Sequence, residues 1–482
     1  MIRARYDAAQ TTDANSRHWA ATDTLDADAA NSLAIRRKIS QRARYETENN
    51  GHGKGVVLTH ANYVVGRGPR LRMATGSPGL NGMVEAAWMR WCKAVKFARK
   101  LRTAVKAKTR DGEAFIVAKR NPMLGDTVKL DLVGIECEQC STPMLLGGEQ
   151  GKIDGIEFDE FGNPTYYTIL RRHPGAEWWQ VPGVESDRVP AKFVFHLFRE
   201  DRPGQHRAVS ELSATLGLFG AGRRWREATI TAAENVADFA MLMKTNSSPD
   251  EVSEVPAFDT MEINKGMLTA LPYGYEPYQP KAEQPSATYG EFNRSLMCEE
   301  ARPLNMSYNI AAADSSDYSF SGGRLDHLTY FVSVDTDQAD IEDTCLDLLF
   351  ALWWEEAVRL NQWTLSVDTV PAHDWVWPAK PQIDDQKTAS ARQTALSTGT
   401  TSLRRIYNED GLDLEDEMAA MAEDYGVSVE EIRRKLYEVN FQRPSVAPSS
   451  APSESDAKPR PNPFKRPPAR NGNGRQPAGA AQ

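Results

Sequence analysis

RPLNMSYNIAAADSSDYSFSGGRLDHLTYF, running from Arg302 to Phe331, is the stretch whose reading decides the fold. Its first part is too rich in Asn, Ser, Asp and Gly to be a packed core segment, and Gly322-Gly323 punctuates it. From Gly323 the spacing predicts a long helix, with Val334, Ile341, Cys345, Leu348, Leu349 and Leu352 on one stripe. Asp335, Asp337, Asp340, Asp343 and Asp347 fall largely off that stripe. Upstream, Ser286 to Arg302 reads as a second helix. A polar loop is thus held between two helices.

Working outward, Asn246 to Pro285 is rich in Pro and turn residues, with strand-like pieces such as Gly266 to Leu271. Before it, apolar residues from Val209 to about Lys244 keep helical spacing, which at about 1.5 Å per residue gives a rod of about 55 Å. Gly217, Gly220 and Gly222 interrupt that rod, leaving open a kink, a later start, or close approach of neighbouring helices. Between Ala114 and His196 strand signals dominate: GEAFIVAK, VKLDLVGI, KIDGIEFDEFGNPTYYTIL and FVFHLF. Gly162-Asn163-Pro164 marks a hairpin turn, and Trp178-Trp179 reads as packing.

The N-terminal region, Asp7 to Asn50, reads as polar surface helices. Val56, Val57, Leu58, Tyr63, Val64 and Val65 then form an apolar stripe that ends at Gly66 and Pro69. A further helix is expected from Met83 to Val105, with Trp88, Trp91, Val95 and Leu101 on one face. Towards the other end, helices are expected at Thr388 to Asn408, stopped by Gly411, and at Val429 to Phe441. The last forty residues are rich in Pro, Ser, Ala, Gly and Arg and read as a disordered basic tail.

Several blocks together resemble the lambda-like family of tailed-bacteriophage portal proteins. They are Ala4 to Ala20, Arg42 to Leu71, the Arg-Pro-Gly-Gln stretch within Phe198 to Ser213, the turn-rich piece after the first long helix, and the opening loop with its following helix. The resemblance spans Ala4 to about Leu360, with the blocks in the family's order. The glycines at 217, 220 and 222 depart from the family's bulkier pattern.

That resemblance implies a mixed α+β portal fold with an α/β wing, a helical stem, a small α/β clip, a long tunnel helix and a helical crown. It places the wing at 1–206, the first stem helix at 207–244, the clip at 245–285 and the second stem helix at 286–304. The tunnel loop follows at 305–322, then the long helix, wing completion and crown at 323–440, and the tail at 441–482. The implied function is a homo-oligomeric ring, typically twelvefold, at one capsid vertex, through which double-stranded DNA is packaged and ejected. The implied partners are further copies of the chain, the DNA, the terminase large subunit, the major capsid protein and the head-tail adaptors. Such a protein is assembled in the host bacterial cytoplasm and resides in the virion.

Asp314, Ser315, Ser316, Asp317, Ser319, Ser321 and Gly322 are the channel-loop residues on this reading. They offer hydrogen bonds without the cations that would grip phosphate. Arg223, Arg224 and Arg226 are candidates for occasional phosphate contact, with ion pairing between subunits as the equal alternative.

Net charge is −9, but residues 1–110 carry 21 Lys+Arg against 8 Asp+Glu, a net of +13, and the tail carries +5. That leaves −27 for the middle, so the chain presents surfaces of opposite sign to different partners and disfavours tight DNA binding by the middle. Five scattered cysteines, Cys92, Cys137, Cys140, Cys298 and Cys345, fit unpaired thiols in a reducing compartment. Cys137 and Cys140 form a CxxC without the second ligand pair that zinc requires. No run of about 20 apolar residues that would span a bilayer occurs, and the start has no signal-peptide core, so no membrane partner is expected.

GHGKGVV at Gly51 to Val57 has the wrong spacing for a nucleotide-binding loop. No GxSxG elbow or HExxH pair occurs, and His196 on an apolar strand reads as a core residue. No catalytic residue, metal or cofactor is expected, and ATP hydrolysis would come from a partner. Two alternatives remain: a DNA-processing enzyme of the packaging machinery, nuclease or ATPase, and a structural scaffold that forms no ring.

Overall fold

In a computed structural model, residues 16–441 are described except 18, 143–150, 177–184, 239–241, 246–274, 279–287, 317, 362, 364–368 and 382–384. Helices α1 (Ala27–Ala30), α2 (Leu33–Asn49) and α3 (Gly51–Val65) open the chain, followed by β1 (Arg70–Met73), α4 (Pro78–Val95) and α5 (Phe97–Asp111). The β-rich part holds β2 (Glu113–Arg120), β3 (Leu130–Ile135), β4 (Lys152–Ile153), β5 (Ile156–Phe158), β6 (Pro164–Leu170), β7 (Ser186–Pro190) and β8 (Val194–Phe198). Next come α6 (Leu216–Asp238), β9 (Leu242–Thr245), β10 (Tyr275–Tyr278), α7 (Tyr289–Ala301) and α8 (Tyr308–Ala311). The long rod is α9 (Phe320–Ile341), a π-helical turn (Glu342–Leu346) and α10 (Asp347–Asn361). Then follow β11 (His373–Val376), α11 (Asp385–Ser397), α12 (Leu403–Glu409), α13 (Leu414–Tyr425) and α14 (Val429–Phe441).

The strands form small antiparallel sheets, ordered β3-β2-β8 and β4-β5-β6-β7, with β1 paired to β11 and β9 to β10. Phe158 pairs with Pro164 across the expected Gly162 turn, where Asp159 accepts the backbone N–H groups of Phe161 and Asn163. The chain divides into two compact units, one from 1–385 with 404–413, the other from 386–403 and the chain from Leu414 onward. The second unit buries Met418 and Ala422 of α13 against Ile432 of α14.

The large core of the first unit is aromatic. Trp88 and Trp91 of α4 meet Phe350 and Trp353 of α10; Trp88 packs edge-on to Trp353 with centroids 5.2 Å apart. All four rings are fully buried, and Trp91 Nε1 donates to the Leu130 carbonyl at 2.8 Å. The expected Met83–Val105 helix is two helices. Lys96 adopts φ +56° and ends α4, which lets Phe97 turn into the core at the start of α5.

The first stem helix is also shorter than expected, beginning at Leu216 rather than near 207. The residues before it are held by side contacts: Ser210 and Glu211 bond the Thr109 carbonyl. Val209 passes so close to Gly112 (φ +101°) that a Cβ there would lie 2.3 Å from the Val209 carbonyl carbon. The helix expected at 388–408 is broken at Gly399 (φ +71°) into α11 and α12, and α13 was not expected. Gly411, at φ +68°, does stop the chain as read.

One buried ion network joins the layers. Arg207, in the segment after β8, meets Glu113 of β2 at 2.6 Å, and both side chains are 1% exposed. His196 of β8 lies 3.0 Å from the same carboxylate. Arg36 of α2 pairs with Asp154 and lies 3.8 Å from Glu113. The remaining guanidinium donors of Arg207 go to the carbonyls of Cys137, Cys140 and Asp154. Two cations thus face two carboxylates, and Arg207 with His196 holds Glu113 far below the usual carboxylate range. Burial keeps His196 neutral, stacked between Phe115 and Phe198, so it is the satisfied core residue expected.

A second buried carboxylate lacks such compensation. Glu300 of α7 is fully buried, and neither oxygen has a hydrogen-bond donor among the described residues. His52 Nε2 of α3 lies 3.4 Å away and Arg226 Nη2 of α6 lies 4.0 Å away, with Glu46 of α2 adding like charge. Burial pushes the Glu300 carboxyl up to about 7 and depresses His52 to about 4. Gly222 faces this cluster: a Cβ there would lie 2.6 Å from Leu296 Cδ2 and 3.1 Å from Glu300 Oε1. Its close approach is therefore between α6 and α7 of one chain.

Glu113→Gln, which leaves Arg207 buried without its partner charge, is expected to destabilise the fold by about 3–5 kcal/mol in urea unfolding. For Glu300, whose folded pKa is raised, the associated stability is complete below the ordinary glutamate range and lost as pH rises through about 7. The melting temperature of Glu300→Gln should therefore gain on the wild type between about pH 4.5 and 7, and a pH-independent difference would refute the assignment.

Candidate functional site

The polar loop is built from α7 forwards. A 3-10 turn, Arg302–Leu304, ends that helix, and Asn305 at φ +54° redirects the chain. Ser307 bonds Asn309 at 2.5 Å at the entry of α8, whose Ile310 and Ala311 are buried. Ala313, also at φ +54°, turns the chain out again. Asp314 then accepts the Ser316 backbone N–H at 3.0 Å and the Ser316 hydroxyl, which holds it below the usual aspartate range. Ser319 accepts the Gly322 N–H at 3.2 Å and caps α9.

The structure therefore corrects the predicted loop of 305–322. Its first part contains α8, and the long helix starts at Phe320, so Ser321 and Gly322 lie in the first helical turn. Capping by Ser319 outweighs the two glycines that suggested a later start. Ser315, Ser316, Ser319 and Ser321 are exposed, while Asp314 is half-buried; Asp317 lies outside the described residues. Arg302 and Arg324 are exposed at the two ends of the stretch, and a third cation packs on the loop's own tyrosines. Arg294 of α7 lies over the Tyr308 ring at 4.5 Å and the Tyr318 ring at 5.4 Å.

After the loop, α9 is tied to α3 and α5 through its own acidic residues. Asp337, expected off the buried stripe, is largely buried: Lys108 of α5 lies 2.7 Å away and His60 of α3 3.4 Å away. Lys108 also meets Glu211 at 2.9 Å. His60 Nδ1 is 3.1 Å from the Tyr330 hydroxyl, and Gln338 donates to the Val64 carbonyl at 2.8 Å. The π turn then shifts the apolar register. Val334, Ile341 and Cys345 are buried as expected, but burial continues at Leu346, Leu349 and Phe350, leaving Leu348 48% exposed.

The three arginines of α6 differ in what they do. Arg223 pairs with Glu46 at 3.3 Å and lies over the Tyr45 ring at 5.2 Å, while Arg226 bonds Asn293 at 3.1 Å and faces Glu300. These are contacts within one chain. Neither contact is part of the expectation of DNA or subunit contact, since α2 and α7 bring local carboxylates to these two side chains. Arg224 is exposed and makes no ion pair among the described residues. Together with Lys38 and Arg42 of α2 it lines a cleft of about 450 Å³. Sequence reading missed these two residues, although their i, i+4 spacing on α2 is visible.

Other candidates resolve into structure. Gly51 to Val57 forms the start of α3, where Gly53 packs on the Phe219 ring. Cys137 and Cys140 are buried, with burial raising both thiols, Cys140 to about 12. Glu136, Glu138 and His173 place ligand atoms within 4.8 Å of one another. Arg44 already lies 2.8 Å from Glu138, and His173 Nδ1 accepts the Gly175 N–H at 3.0 Å. Both carboxylates of the trio thus lie beside Arg44, at 2.8 Å for Glu138 and 3.8 Å for Glu136. Among the described residues no helix is long and apolar enough to cross a membrane. The clip segment 246–274, Trp178-Trp179 and the tail from 442 lie outside the described residues.

Comparison with known proteins agrees with the sequence blocks. The profile of the phage portal protein lambda family matches residues 13–338. A probable portal protein of Halomonas phage phiHAP-1 is 24% identical over 419 residues, covering 80% of this chain and 79% of that one. Among solved structures, a chain from the neck of an empty GTA particle computed with C6 symmetry is 13% identical. That match has a TM-score of 0.40 and covers 76% of this chain and 91% of the other. A chain from the neck of a native GTA particle computed with C12 symmetry is 14% identical, with a TM-score of 0.38, covering 78% and 94%. With two-thirds of its length matching the family profile, the chain belongs to the lambda family of phage portal proteins.

Proposed function

We propose that copies of this chain close into a ring of twelve at one capsid vertex, around a channel that conducts double-stranded DNA into and out of the particle. The wing comprises 1–206 with part of the chain after Gly323, α6 and α7 form the stem, and 245–285 forms the clip. The C-terminal helices form the crown, and the basic tail follows. Terminase and the head-tail adaptors dock in turn at the clip, and the major capsid protein surrounds the ring. The ring is assembled in the host cytoplasm and retained in the virion. Its role is mechanical; the energy of packaging comes from the terminase.

The observation that carries the channel role is the chemistry of the stretch between Arg302 and Arg324. It contains no Lys or Arg, and its hydroxyls at Ser315, Ser316, Ser319 and Ser321 are exposed. The neighbouring Arg294 is engaged by two tyrosine rings. A surface over which a polyanion slides needs hydration and hydrogen bonding but few phosphate-binding cations, because each such cation adds salt-sensitive grip. Asp314 and the Ser319 cap fix the loop's shape without adding positive charge.

The purified protein is expected to run as an assembly of many copies in native mass measurements; a stable monomer across salt conditions would refute the ring. Ser315→Lys with Ser316→Lys spares the Ser319 cap. It should leave the ring intact while reducing DNA-filled particles several-fold at low salt, with partial recovery at higher salt. Normal filling at every salt concentration would remove the loop from the channel.

A further inference from the structure

Among the exposed charges without an ion pair in the described residues are two groups of opposite sign. On α2, Lys38 and Arg42 stand on the exposed face, opposite the buried Ser40, Ala43 and Thr47. Across the cleft, α6 contributes Arg224, while Gly217 and Gly220 leave its floor without side chains. None of the three cations has an ion-pair partner among the described residues, whereas Arg223 beside them is taken by Glu46. The exposed Tyr45 ring lies at the same cleft.

The second group sits where α9 enters the π turn. Asp340 and Asp343 are exposed, stand three residues apart on one helical face, and have no ion-pair partner among the described residues. Burial and the like charges of Asp337 and Asp343 push Asp340 above the usual aspartate range, and the nearby Lys108, already paired with Asp337 and Glu211, offsets this only in part. Exposed apolar side chains also occur along the same rod, Val332 at 67% and Leu348 at 48% exposure.

Two different complementary patches on one chain are what a head-to-tail contact requires, and a head-to-tail contact that closes makes a ring. The charge split of the whole sequence, +13 in residues 1–110 against an acidic middle, supplies the same complementarity at larger scale. A cleft of about 450 Å³ takes side chains from a helix and is far too small to seat a duplex. We propose that the basic cleft between α2 and α6 of one copy receives the Asp340–Asp343 face of the next copy as a contact between subunits. This rests on the ring reading above.

Charge exchange tests it. The basic-side variant K38E/R42E/R224E and the acidic-side variant D340K/D343K are each made in the full chain, and retention of wild-type melting is checked first. Each alone opposes like charges at every contact, so the ring fraction in mass photometry at low salt should fall at least tenfold. Mixed in equal amounts, the two restore opposite charges at every contact of an alternating ring, so the mixture should recover it. Should a reversal unfold the chain, the neutral R42Q/R224Q and D340N/D343N variants should each weaken assembly and make it less sensitive to salt.

Assembly of either folded reversal at the wild-type level, or failure of the mixture to recover, overturns the inference while the ring of the wild type stands. Intact rings of the basic-side variant with lowered affinity for a short DNA duplex would also overturn it, assigning the cleft to nucleic acid. A wild type that forms no ring refutes the ring reading itself.

Discussion

The contact between Arg207 and Glu113 is the constraint on which the rest of the first unit depends. A guanidinium and a carboxylate that are both 1% exposed hold only if nearly every donor and lone pair is satisfied, and here Cys137, Cys140, Asp154, Arg36 and His196 do so. These groups come from α2, β2, β8, the 3-10 turn after β3 and the β4–β5 turn. One arginine thereby fixes the relative placement of both larger sheets and the helix in front of them. It also bears on where α6 starts, because Arg207 and the Ser210–Thr109 contact hold the chain out of α-helical form, and a 3-10 turn at Ser213–Thr215 precedes Leu216.

A second ionic contact extends that frame to the loop. Lys108 between Asp337 and Glu211, with His60 beyond, pins α9 to α3 and α5. At the other end Arg294 grips the loop through Tyr308 and Tyr318. The exposed serines are thus carried on a short arch between two anchored helices. Polar residues supply the arch, while charge and aromatic contacts stay behind it. That division is what the proposed channel role asks of this stretch.

Much of this was legible beforehand, and for identifiable reasons. The strands of the β-rich part followed their Val, Ile, Phe and Tyr runs, and the Gly162 hairpin followed its turn residues. Helix ends set by one residue were less legible: the Lys96 break, the Ser319 start and the Gly399 interruption each turn on a local backbone state. The arginines of α6 illustrate a different limit. A charge run looks uniform in one dimension, but Arg223 and Arg226 meet carboxylates brought by α2 and α7, and only Arg224 is left to solvent. Leu348 lost its place in the core because a π turn rotates the helix after Ile341.

The sequence by itself determined the class of fold, the order of its parts, the polar stretch without cations and the division of charge along the chain, since these reside in composition and periodicity. Tertiary structure alone decided which charges are spent internally. Asp337 and Glu300 are both acidic residues on helices, yet one is compensated by Lys108 and the other stands with unpaired oxygens. The difference lies in what neighbouring helices bring within a few ångströms, and the energy of a buried charge depends on that surrounding, which no local pattern encodes.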